Sequence, residues 1–159
     1  MDKSLVTETS GELLNNAEKD IINVKVLLKQ KFYPEDLMYS PICFHTTQAI
    51  EKLLKSYIIS NYQSIEKTHH LEYLRKTAMG IDASFIKIEN DCLLLNDFVP
   101  GRKYSDEVSI TKQDMNNIVR SLNNICSFPP IKEMRDSFKQ EHKFEIIDEA
   151  TANPTPLNL

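Results

Sequence analysis

A chain of 159 residues has enough material for one domain with a buried core and needs no disulfide staples. Its 41% hydrophobic and 26% charged content is that of an ordinary globular protein, and three glycines are too few for a turn-rich all-β fold. A net charge of −4 removes any global electrostatic argument for nucleic-acid binding, and no apolar run approaches the roughly 20 residues that span a bilayer.

Residues 1–9 are polar and are expected to be flexible. The opening stretch also lacks the apolar core of a signal peptide, so the expected compartment is the cytoplasm. Leu14, Ala17, Ile21, Val24 and Leu28 then step by three and four through a long amphipathic helix, widened by Leu13, Val26 and Leu27. Lys25, Lys29 and Lys31 load its C-terminal end, where cations complement the helix dipole, and Phe32-Tyr33-Pro34 marks the break. Glu35 to Tyr39 fits a helical turn that Pro41 either kinks into the next helix or precedes as a separate start. Ser40 followed by Pro41 reads as an N-cap and first helical position.

The helix from Ser40 to Tyr62 buries Cys43, Thr47, Ile50, Leu54, Tyr57 and Ile58, with Thr46, Ala49 and Leu53 broadening the stripe. On its other face His45, Gln48, Lys52 and Lys55 form one polar ridge, with Glu51 four residues before Lys55. Two readings fit that ridge: a solvated face with one ion pair, or a binding edge.

Thr68 is placed to cap a short helix carrying Leu71, Leu74 and Ala78 inward, and Gly80 to end it. His69 and His70 are adjacent and diverge by roughly a hundred degrees on a helix, poor geometry for one metal, and no metal site is expected. Asp82 or Ser84 begins the next helix, with Phe85, Ile88, Cys92 and Leu95 buried. The longest interior connection follows, from Asp97 to Val108, where Pro100-Gly101 signals a turn. Arg102, Lys103 and Tyr104 put two cations and an aromatic on that loop, suited either to an anion or to pairing with Asp106 or Glu107.

Thr111 and Asp114 form a capping-box pattern before a helix that buries Met115, Ile118, Leu122 and Ile125. Pro129-Pro130 ends it, and a turn or short helix runs through Ile131, Met134 and Phe138. Beyond about Glu141 the periodicity is lost. Cys43, Cys92 and Cys126 are odd in number and widely spaced, which reads as buried free thiols in a reducing compartment. The expected architecture is an all-α, antiparallel helical bundle of four to five helices over residues 10–140, with a flexible tail at 141–159. There is no internal repeat, glycine-rich phosphate loop or nucleophile–base motif, and no cofactor is expected.

The run Phe44-His45-Thr46-Thr47-Gln48-Ala49-Ile50-Glu51-Lys52-Leu53-Leu54-Lys55 resembles the signature helix of the HEPN domain family. Cys43, Phe44, Gln48, Ala49, Glu51, Lys52 and Lys55 carry the likeness, and Thr47 stands where the family has the first of two glutamines. Thr68-His69-His70-Leu71 is similar to its Thr-His-acid-Leu helix start, with His70 in the acidic position. Arg102, Tyr104 and Asp106 are similar to its Arg-Tyr-Pro-acid segment, with Lys103 inserted and Ser105 where proline is usual.

The resemblance implies a small helical bundle, commonly a homodimer. One branch of the family partners minimal nucleotidyltransferases in two-component, toxin–antitoxin-like systems, and many members are proposed to bind nucleotides. On that reading His45, Gln48, Lys52, Lys55, Arg102 and Tyr104 contact a nucleotide, an RNA or the partner protein. A second branch consists of metal-independent ribonucleases, which use an Arg, a polar residue and a His a few positions on, near the start of the last bundle helix. Here Arg102 has no such His, and the matching spacing is Arg135-Asp136 with His142, past the place the family puts it. Arg135 and His142 are therefore the catalytic candidates of the alternative, a ribonuclease; a third reading is a structural oligomerisation domain.

Overall fold

Thr9 begins the first helix because its hydroxyl accepts the backbone N–H of Glu12 at 3.1 Å, satisfying one orphan donor of the first turn. The computed structural model describes residues 4–30, 35–99 and 110–142. Within them α1 spans Ser10–Lys29, α2 Tyr39–Ser60, α3 Leu71–Met79, α4 Glu89–Asn96, α5 Lys112–Ser127 and α6 Pro129–His142. Three-residue-per-turn segments at Glu35–Met38 and Ala83–Ile88 lead into α2 and α4. The chain is all-α as expected, with six α-helices among the described residues in place of four to five.

α1 and α2 run antiparallel. Ser10 at the start of α1 bonds Ser56 near the end of α2, through paired hydroxyls 2.8 Å apart and Ser56 Oγ to the Ser10 carbonyl at 2.9 Å. α2 is the central helix, touching α1, α3, α5 and α6. Its Ile50, Leu53, Leu54 and Ile58 are fully buried together with Ile21 of α1, Leu74 of α3, Leu95 of α4 and Leu122 of α5. Phe85 closes one end of this core, its ring 4.7 Å from Tyr57 and 4.9 Å from Phe128.

Several local expectations change. Ser40 is not the cap of α2: Glu35–Met38 runs straight into Tyr39, and Met38 occupies the cap position without a side-chain bond. Pro41 consequently lies inside the first turn, where its missing N–H leaves no helix bond unmade. Thr68 does not cap α3 either. Its hydroxyl accepts the His70 N–H at 3.0 Å, and His70 Nδ1 accepts the Tyr73 N–H at 3.0 Å, so His70 is the cap. Gly80 does follow α3, with an ordinary right-handed backbone. Asp82 caps the segment after it, accepting from Ser84 N at 2.9 Å, but the single helix expected there divides into a tight turn and the short α4.

Residues 4–6, expected to be flexible, pair with 65–67: Val6 N donates to the Ile65 carbonyl at 2.9 Å and Lys67 N to the Ser4 carbonyl at 3.0 Å. Val26, assigned to the buried stripe of α1, is 48% exposed. The short C-terminal helix is a full 14-residue α6, started by the very prolines that end α5. The capping box at Thr111 and Asp114 forms as read, each partner bonding the other's backbone N–H at 3.0 Å. The Phe32-Tyr33-Pro34 break, the 100–109 loop and residues 143–159 lie outside the described residues.

Candidate functional site

Helical periodicity sets the ridge on α2, and its meaning depends on what the neighbouring helices place against it. Asp20, buried on α1, takes two partners from the ridge: His45 Nδ1 at 2.9 Å and Lys52 Nζ at 2.5 Å. The side chains of His45 and Lys52 remain about a quarter exposed, so one carboxylate holds two nitrogen-bearing groups at the rim of the α1–α2 seam. On the other flank Lys55 donates to Glu51 at 2.9 Å, both buried, and the exposed His69 meets Glu51 at 2.6 Å from the approach to α3. Gln48 lies half-buried between the two pairs.

The ridge is therefore a hydrogen-bonded seam in which each lysine is held by a carboxylate, rather than a freely solvated face. Phe44 adds an aromatic to the same edge. It is 50% exposed, and its ring meets the His45 ring edge-on at 5.3 Å. Phe44 entered the sequence reading only as part of the family signature, and Asp20 did not enter it at all. A buried acid at an otherwise apolar register of α1 is the signal that would have found Asp20.

Arg102 and Tyr104 lie outside the described residues. Arg135 stands elsewhere, 3% exposed, donating through Nε and Nη2 to Glu18 at 2.6 and 3.0 Å. Burial works against its charge, but the Glu18 bonds prevail and hold the guanidinium above its ordinary pKa. His142 ends α6, and its side chain is outside the described set. A third ionic group joins Arg75, nearly fully buried, to Glu72 and to Glu89 at 3.2 Å, tying α3 to α4.

Among the described residues no three His, Cys, Asp or Glu side chains converge as a metal site, and no helix is long and apolar enough to cross a membrane. All three cysteines are free and buried. Burial pushes the Cys43 and Cys92 thiols up to about 12, far from the thiolate that a nucleophile needs. An open cleft of about 440 Å³ lies beside the start of α3, lined by Glu66, Lys67, Thr68, His70, Glu72, Tyr73 and Lys76.

The helical bundle and the signature residues on α2 agree with a family model, the HEPN domain, which matches residues 10–133. The chain belongs to the HEPN domain family. No curated protein and no solved structure matches it significantly. The signature helix of this HEPN domain is α2, and of the polar residues that mark it Lys52 is held by Asp20 and Lys55 by Glu51. The HEPN match stops within α6, two residues before Arg135.

Proposed function

We propose that this HEPN domain is a nucleotide-binding partner module that works as a homodimer beside a nucleotidyltransferase. The observation that supports it is the α2 edge, where Asp20 fixes His45 and Lys52 at the surface next to the half-exposed ring of Phe44. Phosphate is recognised by fixed cationic donors, and a base by a stacking face beside them. The carboxylate aims the donors before the ligand arrives, which lowers the ordering cost of binding. In this reading Gln48 and Lys55 extend the edge, and Arg102 and Tyr104 are further contacts to the same ligand.

The ribonuclease reading fares less well on geometry, because the Arg135 guanidinium already makes a two-bond pair with a fully buried carboxylate. Stabilising a phosphoryl group through Arg135 requires that pair to open.

Calorimetric titration of the full chain with ATP and AMP tests the proposal. Wild type binds, and Lys52→Ala and Arg102→Ala each weaken binding about tenfold in a protein that still melts cooperatively. Unchanged affinity in both variants removes these residues from the site. An RNA-cleavage assay in EDTA is run alongside: cleavage lost in both Arg135→Ala and His142→Ala replaces this reading with the ribonuclease. No response to any nucleotide leaves a structural oligomerisation domain.

A further inference from the structure

The cleft of about 440 Å³ is walled on one side by residues 66–68 and on the other by the start of α3, and it shares no residue with the α2 edge. Lys67 lines it from the first wall and Lys76 from the second, and both are exposed. Among the described residues no ion pair engages either ammonium group. Tyr73 stands three residues before Lys76, on the same face of α3, and its 45% exposed side chain lines the same space.

Hydrogen bonds at the α3 cap decide the polarity of this lining. Thr68 Oγ accepts the His70 N–H at 3.0 Å, and its own hydrogen remains to donate. His70 Nδ1 accepts the Tyr73 N–H at 3.0 Å, which places the proton of the neutral ring on Nε2 and makes that nitrogen a donor as well. The two acids of the lining are already engaged. Arg75 donates to both Glu72 oxygens, from Nε to Oε2 at 2.9 Å and from Nη2 to Oε1, and Glu66 has an interaction of its own. The cap adds no negative charge, because an imidazole fills a position that a carboxylate also suits. What the cleft offers is therefore two cations, two neutral donors and an aromatic face.

We propose that this cleft binds an organic phosphate monoester, its phosphate held by Lys67 and Lys76 and its planar ring laid against Tyr73. The two ammonium groups supply charge-assisted hydrogen bonds, and Thr68 and His70 donate to the remaining phosphate oxygens. An aromatic ring on the ligand gains a stacking partner in Tyr73. The cleft volume lies in the range of small-molecule sites and far exceeds what a bare phosphate fills, which calls for an organic body on the anion. The site is independent of the α2 edge and of the function proposed for it.

The test is calorimetric titration of the full chain with phenyl phosphate and, separately, with inorganic phosphate. Wild type binds phenyl phosphate saturably and more tightly than inorganic phosphate. Lys67→Gln and Lys76→Gln each weaken phenyl phosphate binding about tenfold, and Tyr73→Leu lowers it to the level of inorganic phosphate. Lys132→Gln, which alters an exposed pair with Asp136 on α6, binds as wild type does. His70→Asp separates binding from folding. Its carboxylate keeps the cap, so the denaturant midpoint is at or above wild type, yet it adds a negative charge to the lining and weakens phenyl phosphate binding about tenfold. No saturable binding of phenyl phosphate overturns the proposal, as does equal affinity for the two probes. Affinity unchanged in both lysine variants, or binding lost instead in Lys52→Ala, overturns it as well.

Discussion

Glu18 and Arg135 are 117 residues apart in sequence and form a two-bond ion pair with both side chains almost wholly buried. It joins α1 to α6. Removing one partner leaves the other buried and unpaired. Glu18→Gln or Arg135→Ala is expected to destabilise the fold by about 3–5 kcal/mol in urea denaturation. The double change Glu18→Leu with Arg135→Met is expected to lose less than either single change, because no charge is then stranded. A double variant that loses the sum of the two would show the pair to be two independent contacts.

Asp20 has a different role, since its two partners remain partly exposed. Lys52→Ala is expected to cost under about 1 kcal/mol of stability, because half-solvated pairs contribute little. Asp20→Ala is expected to cost about 1–3 kcal/mol and to weaken nucleotide binding as well, by freeing both donors it aims. Melting curves and titrations on the same samples separate the two effects. Equal affinity in Asp20→Ala and wild type would rule out the aiming role.

His70 caps α3 through Nδ1. His70→Ala is expected to cost about 1 kcal/mol, the usual effect of losing an N-cap acceptor. His70→Asp keeps an acceptor and adds a charge that suits the helix start, so it should match or exceed wild type in denaturant midpoint. If the alanine variant is as stable as the aspartate variant, the cap contributes nothing.

Buried thiols make the fold sensitive to alkali. Cys43 and Cys92 move from an ordinary 9.0 to about 12 in the folded chain, driven by burial first. An acid whose folded pKa is raised stabilises the fold fully below its unfolded value and loses that contribution as pH climbs through the folded one. Stability should therefore fall between pH 9.0 and about 12, by roughly 4 kcal/mol for each thiol across the window. Lys25 and Lys139, lowered in the fold, act in the opposite direction below their ordinary 10.5 and blunt the first part of the decline. Chemical denaturation at stepped alkaline pH should show a shallower slope for Cys92→Ala than for wild type; parallel slopes would deny the thiol its part.

Local patterns in the sequence determined a good deal of this protein. Three-and-four spacing laid out the cores of α1, α2 and α5, and Thr111 with Asp114 announced the start of α5, because such signals act within one or two turns. The signature residues of α2 named the family, and the ridge His45, Gln48, Lys52 and Lys55 followed from helix geometry alone. Which cap wins at a helix start was less legible, since Thr68 and His70 both offer acceptors two residues apart.

Tertiary structure decided the charges. The helical register can mark Asp20 as an acid among apolar positions, but only packing against α6 and α2 turns Glu18 and Asp20 into partners of Arg135 and Lys52. The same holds for residues 4–6, too short a segment to show a period of its own, which find backbone partners at 65–67. Hydrophobic period is a property of one segment and can be read from it. An ion pair belongs to two segments, and its worth depends on how much water the fold leaves around it.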